Sequence, residues 1–154
     1  MSFRVRGLEP EQFQRYFEMS DDELRAHRAV RVIADDASHP CRVSLGHAAL
    51  GEELILINYE HQPGASPYRS NHAIYVGRNS KRAFDEVGVV PEVILSRLVS
   101  VRAFDKDHMI VDADVVEGKD AAGLFERLLA NPETAYLHVH NARRGCYSAR
   151  VERA

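Results

Sequence analysis

Hydrophobic positions along this chain alternate with polar ones in many short stretches and recur at helical spacing in only a few. Phe3 and Val5 alternate with Arg4 and Arg6, which predicts a short half-buried strand ending at Gly7. Pro10 suits a first helical turn, and Phe13, Tyr16 and Phe17 fall at i, i+3 and i+4, predicting a helix with one aromatic stripe. Ser20 and Glu23 have the spacing of a capping box, with Met19 and Leu24 as its hydrophobic staple, so a second short helix is expected from Asp21. Val30, Val32 and Ala34 alternate with Arg31, Ile33 and Asp35, as in a strand, and Pro40 and Gly46 bracket another short one. Leu54-Ile55-Leu56-Ile57 is a continuous apolar run, expected of a central strand that emerges through Tyr59 and His61 into the turn-rich loop Gln62-Pro63-Gly64-Ala65-Ser66-Pro67. His72 to Val76 reads as the next strand.

In the second half, Pro91 opens a helical turn, and Leu98 to Phe104 with Met109 to Val116 form a hairpin across Asp105-Lys106-Asp107-His108. Ala121, Leu124, Phe125, Leu128 and Leu129 mark the best amphipathic helix, stopped by Asn131-Pro132. A final hairpin closes at Asn141-Ala142-Arg143-Arg144-Gly145, with Leu137 and Val139 facing inward opposite Tyr147, Ala149 and Val151. No repeat, linker or low-complexity segment interrupts the pattern. The expected architecture is α+β: one domain over residues 1–154, with a single antiparallel or mixed β-sheet and about three helices packed on one face.

Composition narrows the function classes more than it names one. The chain's 154 residues suit one globular domain, and 45% hydrophobic with 28% charged residues describes a folded chain. A net charge of −3, spread without long runs, argues against a nucleic-acid partner, for which a basic stripe is needed; Arg78, Lys81 and Arg82 read as a solvated turn. The first residues lack a signal peptide's apolar run and no stretch is long enough to span a bilayer, so a cytoplasmic location without membrane contact is expected. In such a compartment Cys41 and Cys146 are expected as free thiols.

Candidate chemistry gathers in three places. If Leu137 and Val139 point into the core, then Tyr136, His138 and His140 point the other way with Cys146, Ser148 and Arg150. Two histidines two residues apart on one strand face can share a divalent ion, with Cys146 as a third ligand; the alternative is a solvated or hydrogen-bonded surface pair. Asp112 and Asp114 follow the same logic and can join only if their strand lies beside that of the histidines. The run from Tyr59 to Arg69 places two tyrosines, a histidine and an arginine at a strand end and loop, where binding groups are often presented. There Arg69 can fork onto a carboxylate or phosphate and His61 can move a proton, or Tyr68 and Arg69 can simply pin the loop. Cys41 beside Arg42, with His39 near, has the makings of an activated thiol or of an ordinary buried cysteine.

Three segments taken together, Pro40-Cys41-Arg42 with Ser44-Leu45, Tyr59 to Arg69 continuing into Ile74-Tyr75-Val76, and His138 to Tyr147, resemble the bacterial family known as domain of unknown function 1203. The resemblance implies no activity, substrate or cofactor. The residues themselves suggest three functions. In the first, a pocket for a small anionic molecule is lined by Arg42, Arg69 and Arg144 with Cys41, Tyr59, Tyr68 and Cys146, and His61, His138 and His140 act as its catalytic groups. The second is a metal centre on His138, His140 and Cys146. The third is a non-enzymatic interaction module or homo-oligomer.

Overall fold

The computed structural model describes residues 2–154. Among these residues nine strands form two antiparallel sheets: β1 (Phe3–Arg6), β2 (Ala29–Ile33), β3 (Glu53–Gln62), β4 (Ser70–Gly77), β5 (Asp85–Val87), β6 (Leu98–Phe104), β7 (Ile110–Glu117), β8 (Tyr136–Asn141) and β9 (Tyr147–Arg153). The larger sheet has the order β5-β1-β9-β8-β6-β7, and the smaller has the order β2-β3-β4. The helices are short: α1 (Asp21–Ala26), α2 (Glu92–Leu95) and α3 (Ala121–Ala130), with short 3-10 pieces at Pro10–Gln12, Gln14–Glu18 and Gly118–Asp120. Among the described residues no helix is long and apolar enough to cross a membrane.

The expected single sheet with three helices on one face is therefore wrong. Alternation identifies strands but not their partners, and β2, β3 and β4 pair only with each other. Their helices also differ from the expectation, because the aromatic stripe of Phe13, Tyr16 and Phe17 is carried by 3-10 turns rather than one α-helix. Phe13, Phe17 and Leu24 pack on Ile55, Ile57, Ile74 and Val76 of the small sheet, giving it a core of its own. The capping box forms as the spacing predicts, with Ser20 and Glu23 bonding each other's backbone N–H. The short strand expected between Pro40 and Gly46 reduces to isolated bridges. Val30, on the edge strand β2, is 55% exposed.

The larger core lies on the α3 side of the six-stranded sheet. There Leu124, Phe125, Leu128 and Leu129 meet Val99, Val101, Leu137, Val139, Ala149 and Val151. Strand alternation then commits the opposite face of β6, β8 and β9 to the other residues of each strand. Cross-strand register sets Arg102 opposite His138, Phe104 opposite Tyr136 and Ser100 opposite His140 on that face. In a sheet covered on one side only, these residues would meet water. Here the end of β3 covers them.

Candidate functional site

Two β-bulges bring the site together. Between the pairs Tyr59↔His72 and Gln62↔Ser70, β3 advances three residues while β4 advances two, so β3 holds one extra residue. A bulge of this kind bends and twists the strand and re-aims its side chains. Gln62 Nε2 donates to the Tyr136 hydroxyl at 2.9 Å, and His108 Nδ1 lies 2.7 Å from the same oxygen. The β3–β4 loop is tied down further by Ser66 Oγ, which donates to the His108 carbonyl at 2.8 Å. Gly64 presses on the His108 ring so closely that an added Cβ would lie 2.3 Å from its Cγ.

The second bulge lies in β9, where Val139↔Ala149 is followed by His140↔Tyr147, leaving Ser148 extra. This overturns the expected inward position of Tyr147. The bulge moves its side chain to the histidine face, where the ring stacks on His61 at a centroid distance of 5.4 Å and an interplanar angle of 4°. It also packs edge-on against His138 at 5.0 Å and His140 at 5.8 Å.

His61 from the small sheet thus meets His138 and His140 of the large one. The ring centroids of His61 lie 6.2 Å from His138 and 4.9 Å from His140. One potential ligand nitrogen from each of the three histidines lies within 4.8 Å of the other two. His138 and His140 are 4% and 1% exposed, so they are not a surface pair, although His140 is hydrogen-bonded. Nδ1 of His61 and Nδ1 of His138 are buried without a hydrogen-bond partner among the described residues. Nδ1 of His140 lies 2.9 Å from the Gly145 carbonyl and must donate, since a carbonyl only accepts. That bond leaves Nε2 of His140 with its lone pair, 3.5 Å from Arg102 Nη1.

Burial holds all three imidazoles neutral. It is the largest cause for each, pushing His61 down to about 4 and His140 to about 3, and the nearby Arg102 guanidinium adds to both. His138 falls lower still, with burial first and then His140 and Arg150 as further causes. Burial likewise raises the Tyr147 phenol above its ordinary value. Neutral imidazole is the form that binds metals.

The remaining site candidates part company. Arg42, Arg144 and Cys146 line a separate recess of about 780 Å³ beside the β8–β9 turn. Arg69 pairs with Glu60 on the surface, and Tyr68 lies exposed with its edge toward Phe104. Tyr59 packs against Phe13 in the small core. Cys41 is buried in that same core, its Sγ 3.1 Å from Ser80 Oγ, as an ordinary packed cysteine would be. His39 is engaged with Asp36 at 3.3 Å. Cys146 is absent from the three-histidine group and accepts from Asn141 Nδ2 at 3.2 Å. Both cysteines are free. Asp112 and Asp114 lie on β7, separated from β8 by β6, and pair with Arg127.

Sequence reasoning missed Tyr147 and Arg102. Arg102 had a usable signal, since its alternation with Val101 and Ala103 puts it on the polar face of β6. What alternation lacks is the β6–β8 register that sets it opposite His138.

No curated protein matches the chain significantly. Nor does any solved structure. The family model described as protein of unknown function (DUF1203) matches residues 38–153, which include β3, β4, β8, β9 and every histidine of the cluster. The chain therefore belongs to the DUF1203 family.

Proposed function

We propose that this chain is a metal-binding protein whose centre is a transition-metal ion of the zinc class held by His61, His138 and His140. The observation that carries this reading is the convergence of three neutral imidazoles from two sheets, two of them with an unpartnered buried Nδ1. Burying a polar nitrogen without a partner costs about 1–3 kcal/mol, and a metal bond removes that cost. The 4.8 Å limit on ligand-atom separation exceeds the roughly 3.3 Å between nitrogens that each sit about 2.0–2.1 Å from a tetrahedral zinc. Binding the ion therefore requires the three rings to close in on it.

The chain's own residues prepare the centre. The Gly145 carbonyl fixes the tautomer of His140, as outer partners commonly do for metal-bound histidine. Tyr147 orients His61 by stacking. Three protein ligands leave a tetrahedral ion one position for water or substrate, the arrangement of catalytic rather than structural zinc. Arg102 stands at the edge of the cluster, where its guanidinium suits the negative end of a molecule bound there.

Metal analysis of protein purified without a histidine tag, followed by zinc and cobalt titration, tests the proposal. One ion per chain is expected, with affinity falling about 100-fold or more in His61→Ala and in His140→Ala. Failure to bind zinc or cobalt at micromolar concentration, or unchanged binding in both variants, refutes it.

A further inference from the structure

The recess beside the β8–β9 turn is a second feature, distinct from the histidine cluster. Its volume of about 780 Å³ falls within the range of small-molecule sites, and Arg42, Arg97, Arg143 and Arg144 line it together with Asn141 and Cys146. Arg42 is 1% exposed. Its Nε donates to the Tyr147 carbonyl at 2.8 Å and its Nη1 to the Pro40 carbonyl at 2.7 Å. Arg97 donates to the Val93 carbonyl at 3.0 Å, and its Nη1 lies 2.9 Å from His47 Nε2. Among the described residues, none of the four arginines has a carboxylate within 4.0 Å.

A buried guanidinium ordinarily sits against an anion, because carbonyl oxygens satisfy its N–H groups without neutralising its charge. Burial accordingly lowers the Arg42 proton affinity. Three acidic residues also line the recess, Asp35, Asp36 and Glu117, and none is paired with Arg42: Asp36 accepts from the Ser38 backbone and faces His39, Asp35 lies 4.0 Å from His39, and Glu117 forms no ion pair among the described residues. Arg143 and Arg144 are exposed on the turn, which is anchored by the His72 ring 3.2 Å from the Arg144 carbonyl.

We propose that the recess binds a small organic anion, with its phosphate or carboxylate group held by Arg42 and Arg97 at the floor and by Arg143 and Arg144 at the mouth. A volume of this size leaves room for the organic part of a metabolite beyond its anionic group. Arg42 is the arginine with the fewest alternatives, since it is buried at the recess with no carboxylate within 4.0 Å among the described residues.

Calorimetric titration with inorganic phosphate and, separately, with succinate at constant ionic strength tests this, with EDTA present so that no metal participates. Saturable binding of one of the two is expected, the responding probe identifying the group as phosphate or carboxylate. Arg143→Ala/Arg144→Ala, altered only on an exposed turn, should weaken it about 10-fold, and Arg42→Met should abolish it. Because Arg42→Met can lose its fold, Cys146 provides a second readout. The bound anion should slow its alkylation by iodoacetamide at least several-fold, measured by mass spectrometry on the wild-type chain. Absence of saturable binding by both probes overturns the proposal. So does binding that the turn variant leaves unchanged, or binding that leaves Cys146 alkylation unaltered.

Discussion

At the scale of single residues, the account rests on what burial does to an imidazole. His138 and His140 are disfavoured as cations first by burial and then by neighbouring charge, His140 and Arg150 acting on His138 and Arg102 on His140, with the Gly145 carbonyl alone favouring a proton on His140. In the unfolded chain the same rings protonate near pH 6.5. Between that value and the lower native one, the unfolded chain binds more protons, so stability falls as the pH drops below about 6.5 and is level above it. Each ring kept fully neutral contributes about 1.4 kcal/mol per pH unit across that window, and the less deeply buried His61 contributes less. Urea unfolding of metal-free protein from pH 7.5 to 5 should show this slope, and His138→Gln should make it shallower. A flat profile would contradict neutral burial.

Arg102 offers a sharper residue-scale test. Its Nη1 competes for the lone pair of His140 Nε2, and its charge opposes a cation at the cluster. Arg102→Ala should therefore tighten zinc binding several-fold in competition titration, whereas a site that needed Arg102 would bind zinc more weakly.

At the scale of elements, the cluster depends on how β3 is held against β8. Gly64 has no Cβ because the His108 ring occupies that space. Gly64→Ala should displace the loop, lowering stability by about 1–3 kcal/mol as overpacking does, and should weaken metal binding at the same time. Thermal melts and zinc titration of that variant check both effects. Loss of stability with undiminished metal affinity would show that the loop does not position His61. The capping box at Ser20 lies far from this junction along the chain. Ser20→Ala should cost about 1 kcal/mol while zinc affinity holds, a control that separates general destabilisation from loss of the site.

At the scale of the whole molecule, sequence and structure agree where the signal is local. The β6–β7 hairpin, α3, the Ser20 capping box and the C-terminal hairpin were all legible, because each declares itself through neighbouring residues. The pairing of strands was not, and the division into six-stranded and three-stranded sheets could not be read from alternation. The histidines show both outcomes. Period-two spacing correctly set His138 and His140 on the face opposite Leu137 and Val139. The bulge that inserts Ser148 reversed the reading of Tyr147, since one extra residue exchanges the faces of everything beyond it. That His61, 77 positions before His138, completes the cluster is a property of the junction between the two sheets.

The family match carries no chemistry, so the claim of a metal centre stands on that junction alone. X-ray absorption spectroscopy of the zinc-loaded chain examines it most directly, because the first coordination shell identifies the donor atoms. Three imidazole nitrogens near 2.0–2.1 Å, with no sulfur, are the expected shell. A sulfur ligand near 2.3 Å would instead draw Cys146 or Cys41 into the site, and a shell of oxygens alone would place the ion elsewhere; either result would contradict a centre built from His61, His138 and His140.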